Sequence, residues 1–141
     1  MKRTQFSVLL TIFLHTVLVV AKPPDWIPQE MLDMVQNDKQ RCMAEHGTTQ
    51  ELIDKVNEGE LPNDRTLTCY MFCLFDSFSL ADEDGNIDVD LLVSILPENL
   101  QAPAGEVFGA CNNQPGADIC DKMYNIGKCA QTKRPDLWFM I

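Results

Sequence analysis

The chain has 141 residues, a formal net charge of −10 and a hydrophobic content of 45%. A strongly acidic protein repels phosphate backbones and anionic lipid surfaces, which excludes nucleic acid as a natural partner. The length fits one domain with a single hydrophobic core.

Residues 1–21 have the pattern of a secretory signal peptide. Lys2 and Arg3 form a basic start, residues 6–20 are mostly apolar, and small residues precede the predicted cleavage point. An uncleaved membrane anchor is the alternative, but interspersed polar residues dilute the apolar stretch. We therefore expect a secreted, extracellular domain of residues 22–141, with a net charge of −12 and no stable insertion into a membrane.

Apolar residues recur with a helical period through most of the mature chain, which predicts about six short helices. Pro28 suits the first turn of the first helix. Thr48 is the predicted cap of the second helix, in a capping box with Glu51. Asn63 or Asp64 is expected to cap the third.

The second half of the chain continues the helical pattern. Residues 82–86 have the composition of a turn, Asp88 is expected to cap a fourth helix, and Pro97 ends it. A fifth helix is predicted over 103–111 and a sixth over 117–131. Because no run of alternating polar and apolar residues predicts a strand, the expected fold class is all-α.

Neither a metal site nor a catalytic site is predicted. The acidic loop fails as a calcium-binding EF-hand loop, since aligning Gly85 with the glycine position puts Leu80 and Leu91 at ligand positions. His46 is the only histidine of the mature chain, and an even number of cysteines leaves no unpaired thiol for zinc or catalysis. We expect no cofactor and no enzymatic activity.

Six cysteines, at positions 42, 69, 73, 111, 120 and 129, indicate three disulfides in an oxidising compartment. Cys69 and Cys73 lie four residues apart on the third predicted helix, so they share a face and are expected to bond to two different neighbours. The spacing alone leaves several pairings open. A domain of this length can form a core without disulfides, so their presence suggests a partly hollow interior.

The cysteine gaps of 26, 3, 37, 8 and 8 residues resemble those of the insect odorant-binding proteins, the pheromone and general odorant-binding family. The segments 67–75 (LTCYMFCLF), 84–88 (DGNID) and 135–141 (PDLWFMI) support the resemblance. It implies six helices around an apolar cavity, braced by three interlocked disulfides: Cys42–Cys73, Cys69–Cys120 and Cys111–Cys129.

By this resemblance, the protein carries small hydrophobic odorants or pheromones through aqueous sensillum lymph. Its expected partners are the ligand and an odorant receptor or another sensory membrane protein. A carrier or scavenger in saliva, haemolymph or reproductive fluid is the alternative. The resemblance also implies that apolar residues of the later helices and the tail face the cavity, and we expect thirteen candidates there: Met71, Leu74, Phe75, Phe78, Leu92, Ile95, Leu96, Phe108, Met123, Tyr124, Trp138, Phe139 and Met140.

The last five residues, 137–141, are all apolar. Because such a tail in water promotes aggregation, we expect it to be buried. Tail-mediated association is the alternative, and the protein is expected to be a monomer or a weak homodimer. In similar family members the tail folds over the cavity. If it does so here, a carboxylate at Ile141 is expected to lose hydrogen bonds in acid and release the ligand.

Overall fold

Six α-helices and one 3-10 turn form the fold of residues 22–141, the part that this computed structural model describes. The predicted signal peptide lies outside the described residues. No strand occurs within 22–141, where the one β-type contact is an isolated bridge between Ala81 and Ile87. The all-α prediction is therefore confirmed. The helices are α1 Gln29–His46, α2 Gln50–Asn57, α3 Arg65–Ser77, α4 Val89–Ile95, α5 Glu98–Cys111 and α6 Ile119–Lys133.

Aspartates begin three of the helices. The Asp64 carboxylate accepts hydrogen bonds from the main-chain N–H groups of Thr66 and Leu67, and Asp88 accepts one from Leu91. Asp118 accepts from two N–H groups at the start of α6. Each carboxylate satisfies donors that a helix leaves unpaired in its first turn, and its charge complements the helix dipole.

The predicted cap of α2 is wrong by one residue. Thr49, not Thr48, accepts the hydrogen bond from the main-chain N–H of Leu52. Thr48 is buried, and its hydroxyl donates to the main-chain carbonyl of Thr66 at the start of α3. The tertiary contact therefore takes the side chain that the local pattern assigns to the cap.

The predicted start of α5 at Pro103 is also wrong. The helix begins at Glu98, directly after Pro97, and Pro103 lies within it. Leu100 is buried in the first turn, where its N–H bonds to the carbonyl of Pro97 at 2.8 Å. Burial of Leu100 offsets the main-chain hydrogen bond that Pro103 cannot donate.

Helix α3 lies at the centre of the molecule and packs against α1 and α6. Its residues Leu67 and Tyr70 are fully buried, together with Met123 and Ile126 of α6. The pairings implied by the family resemblance are those present: Cys42–Cys73 joins α1 to α3, Cys69–Cys120 joins α3 to α6, and Cys111–Cys129 joins α5 to α6.

No helix within residues 22–141 is both long enough and apolar enough to cross a membrane.

Candidate ligand-binding cavity

An apolar cavity of about 260 Å³ lies beside the central helices. Helices α3 to α6 line it on one side. The first turn of α1, the segment before it and the tail after α6 line the other. Its volume is close to the lower end of the range typical of ligand sites, about 300–1,000 Å³.

The helices present their apolar stripes to this cavity. Met71 and Phe75 of α3 are four residues apart, and Leu92 and Leu96 of α4 have the same spacing. Helices α5 and α6 contribute residues spaced by three and four, which lie on one face of a helix. Those of α5 are Leu100, Pro103, Ala104, Val107 and Phe108, and those of α6 are Met123, Ile126, Gly127 and Ala130.

The tail is held in place by polar side chains of other helices. The side-chain amide of Asn57, the last residue of α2, donates to the Met140 carbonyl at 2.9 Å and accepts from the Met140 N–H at 2.7 Å. The Tyr70 hydroxyl donates to the main-chain oxygen of Ile141. Burial raises the pKa of Tyr70, so this hydroxyl keeps its proton at neutral pH. We call the Asn57–Met140 pair the tail clasp.

Gly127 allows the tail to approach α6 closely. A Cβ atom at this position would lie 3.1 Å from Cη2 of Trp138 and 2.7 Å from Cε of Met71. Both distances are shorter than ordinary van der Waals contact, so the indole fits against α6 because residue 127 has no side chain. The Trp138 Nε1 atom is buried and has no hydrogen-bond partner within residues 22–141.

The segment before α1 meets the tail across the cavity. The rings of Trp26 and Phe139 pack edge to face, with centroids 6.5 Å apart and an interplanar angle of 84°. Such pairs add about 0.5–1.5 kcal/mol beyond the area that they bury. Trp26 and Met31 both line the cavity, so the two ends of the described chain close it together.

One charged side chain lies among the lining residues, that of Arg134. It follows α6 and is 37% exposed, which places it at the rim. Its Nε and Nη2 atoms donate to Oδ1 and Oδ2 of Asp136 at 2.9 and 2.7 Å. These hydrogen bonds raise the pKa of Arg134 and hold the pKa of Asp136 below its usual range, so both groups stay charged.

The sequence profile of the PBP/GOBP family matches residues 25–133, which cover most of the chain. The chain belongs to the PBP/GOBP family. The family predicted from the cysteine spacing is therefore confirmed.

Individual PBP/GOBP proteins match over most of their own length. General odorant-binding protein 69a of Drosophila melanogaster is 29% identical over 125 residues, covering 88% of this chain and 84% of the relative. Odorant-binding protein 7 of Anopheles gambiae, solved with four disulfide bridges and an azo compound, superposes with a TM-score of 0.72 at 27% identity, covering 79% of this chain and 91% of that chain. Apis mellifera odorant-binding protein 5 gives 0.70 at 26% identity, covering 79% and 95%.

Most of the predicted cavity residues line the cavity of this PBP/GOBP member. Those that do are Met71, Phe75, Leu92, Leu96, Phe108, Met123, Trp138, Phe139 and Met140. Whether a ligand contacts them is part of the proposal below.

The other four predicted residues do not line the cavity. Leu74 lies three residues after Met71 and one before Phe75, and Phe78 directly follows the last residue of α3. Both pack against the buried core and not around the cavity. Ile95 of α4 is 49% exposed. Tyr124 faces away beside Met123, with Nζ of Lys128 at 5.8 Å from its ring centroid. Helical spacing from lining residues therefore does not suffice to bring these four side chains to the cavity.

The sequence prediction also missed the segment before α1 and the contacts that hold the tail in place. The apolar pair Trp26–Ile27 directly before Pro28 was the available signal for the first segment. The role of Asn57 could not be recognised from the sequence, because asparagine is common at the ends of helices and in surface turns. Tyr70 is buried, and its hydroxyl bonds to the tail.

Proposed function

We propose that the protein is a secreted carrier that binds small hydrophobic odorants or pheromones in this cavity. It delivers them through aqueous lymph to an odorant receptor or another sensory membrane protein. The observation that carries the proposal is the apolar cavity of about 260 Å³, closed by the chain's own tail. The odorant-binding relatives support it, and one of them was solved with a small azo compound.

The size of the cavity limits the ligand and its affinity. At about 30 Å³ for each water-sized group, it accommodates roughly ten heavy atoms. Burying apolar ligand surface gives about 25 cal/mol for each Å², before the costs of association. A small guest can reach micromolar affinity, about −8 kcal/mol, in this way. Binding by burial also implies broad selectivity among apolar ligands.

The chemistry of the lining favours transport over catalysis. None of the lining side chains is a carboxylate, a histidine, a hydroxyl or a free thiol, and Arg134 is the one charged group among them. Hydrolysis or acyl transfer requires a nucleophile and a general base next to the substrate. We therefore propose a carrier without enzymatic activity, cofactor or metal.

The position of the tail supports a monomer or a weak homodimer. Met140 is 6% exposed, and Phe139 packs on Trp26 of the same chain. A tail that packs against its own chain in this way offers less apolar surface to a second copy. The alternative of tail-mediated association is thus less favoured than the tail as a wall of the cavity.

A displacement titration tests the proposed function. A neutral fluorescent probe is bound to the disulfide-intact protein and displaced by alcohols, aldehydes, esters and fatty acids. We expect saturable probe binding with one site per chain and displacement at micromolar concentrations by the neutral ligands. Absence of saturable probe binding by the folded protein would overturn the proposal. Transcript distribution among tissues then separates an olfactory carrier from one in saliva, haemolymph or reproductive fluid.

A further inference from the structure

The polar side chains around the cavity are all hydrogen-bond donors. Three lining residues have polar side-chain atoms, namely Trp26, Trp138 and Arg134. Indole and guanidinium groups donate hydrogen bonds and accept none, and a methionine sulfur is at best a weak acceptor. The lining therefore offers hydrogen bonds to an oxygen of the ligand, but has no side-chain oxygen for an ammonium group.

Two main-chain oxygens of the tail are already engaged in hydrogen bonds. The carbonyl of Met140 already accepts from Asn57, and the main-chain oxygen of Ile141 accepts from Tyr70. The indole N–H of Trp138 is buried without a partner among the described residues. A buried donor without an acceptor is unfavourable, so a ligand oxygen that reaches this indole would be favoured.

Arg134 lies at the rim and can donate further hydrogen bonds. Its Nε and Nη2 atoms bind Asp136, whereas Nη1 has no hydrogen-bond partner within residues 22–141. The guanidinium is partly exposed and also lines the cavity, so Nη1 can serve a ligand whose polar end lies at the rim.

Asp136 limits the class of polar group that a ligand can place beside Arg134. Its carboxylate forms two hydrogen bonds with the guanidinium and balances the positive charge. Glu106 is a second negative charge that acts on Arg134. A carboxylate ligand would lose hydration and lie close to these two anions. A neutral carbonyl accepts the same hydrogen bond and avoids this repulsion.

We propose that Arg134 and Asp136 together form the selectivity site of the cavity. Arg134 donates from Nη1 to the oxygen of a neutral ketone, aldehyde or ester, and Asp136 disfavours carboxylates. This inference rests on the proposed carrier function and assigns the ligand class of the same cavity.

The test compares three ligands of about ten heavy atoms, namely nonan-2-one, octanoate and decane, as displacers of a neutral fluorescent probe. Arg134→Met is expected to weaken nonan-2-one about fivefold and to leave decane unchanged, because one hydrogen bond is lost. Asp136→Asn is expected to strengthen octanoate about tenfold, because one anion at the rim is removed. Lys133→Met is the matched control, since Lys133 is an exposed neighbouring cation outside the lining.

The outcomes separate the two proposals. If the wild-type protein binds neither the probe nor decane, the carrier function itself fails. If all three ligands bind and the Arg134 and Asp136 variants change their affinities no more than Lys133→Met does, only the selectivity site fails. A stronger binding of octanoate to Asp136→Asn cannot result from misfolding, so this variant keeps the inference testable even if Arg134→Met is unstable.

Discussion

The cavity has two walls that are held by different kinds of contact. The helical wall is formed by α3 to α6, and Cys69–Cys120 and Cys111–Cys129 cross-link three of these helices, α3, α5 and α6. The segment wall, formed by residues 26–31 and 137–141, contains no cysteine. It is held by the tail clasp, the Tyr70 hydrogen bond and the packing of Trp26 on Phe139.

This difference indicates how a closed cavity can still exchange its ligand. Regions with few contacts and no cross-link open locally at a lower free energy than the core of the protein. The segment wall meets this description, whereas opening the helical wall requires separation of helices that disulfides join. The helical wall therefore fixes the volume of the cavity, and the segment wall is the side through which we expect a ligand to pass.

The largest expected effect comes from removing a cross-link of the helical wall. The Cys69–Cys120 disulfide closes a loop of 51 residues, and the chain-entropy relation gives it about 4 kcal/mol of stability. For the double variant Cys69→Ala/Cys120→Ala, we expect the midpoint of thermal unfolding to fall by more than about 10 °C. Circular dichroism on heating measures it. An unchanged midpoint would show that packing alone holds the helical wall.

The next largest effect is expected at the segment wall, from Asn57→Ala. This change removes two hydrogen bonds to Met140, each with a net value of about 1 kcal/mol. We expect the dissociation rate of a bound probe to rise about 30-fold, because most affinity changes appear in dissociation. Stopped-flow displacement measures this rate.

A second asparagine provides the control for the tail clasp. The Asn112 side chain makes the same two contacts, with the N–H and the carbonyl of Ile87, both at 2.7 Å. Neither residue lines the cavity. Asn112→Ala is therefore expected to lower stability to a similar degree and to leave probe dissociation unchanged. Equal acceleration by both variants would contradict a specific role of the segment wall.

A smaller effect is expected where the two walls touch. In Gly127→Ala, the new methyl group meets Trp138 and Met71, which pushes the tail away from α6. Probe affinity should fall about tenfold, since overpacking of this kind costs about 1–3 kcal/mol. Gly109→Ala is the matched control, because a Cβ atom at this helical position meets nothing within 4 Å. A similar loss of affinity in both variants would point to a general effect of replacing a helical glycine, and not to displacement of the tail.

The smallest change in probe affinity is expected from mild acid. The pKa values of Asp64, Asp118 and Asp136 are lowered below the ordinary value of 3.8 by their hydrogen bonds. Their contribution to stability is complete above that value and is lost only as pH falls through the lowered pKa values. Asn57 does not titrate, and the Tyr70 pKa is raised.

Probe affinity is therefore expected to change by less than about twofold between pH 7 and pH 5. Titrations in the two buffers measure it directly. A marked loss of affinity at pH 5 would instead favour the sequence-based hypothesis of ligand release through a carboxylate at Ile141.

The helices and the buried tail were predictable because both depend on local patterns. Apolar spacing identifies the helices, and five apolar residues at 137–141 require burial wherever they lie. The disulfide pairing came from the family resemblance, since spacing alone does not select it.

The closing contacts were not predictable because they join distant parts of the chain. Asn57 and Met140 are separated by 83 residues, and neither residue type indicates the other. The face of α3 that meets the cavity was not predictable for a different reason. Leu74 and Phe75 are both apolar, and a step of one residue turns the helix by about 100°, so composition cannot show which of them meets the cavity.

Intrinsic tryptophan fluorescence tests most directly whether a ligand occupies the space between the two walls. The chain has two tryptophans, Trp26 and Trp138, and both line the segment wall side of the cavity. Titration with a bromoalkane, an apolar quencher, should give saturable quenching with one site per chain, reversed by nonan-2-one. Quenching that rises linearly without saturation, or saturable probe binding that leaves both tryptophans unquenched, would contradict the account.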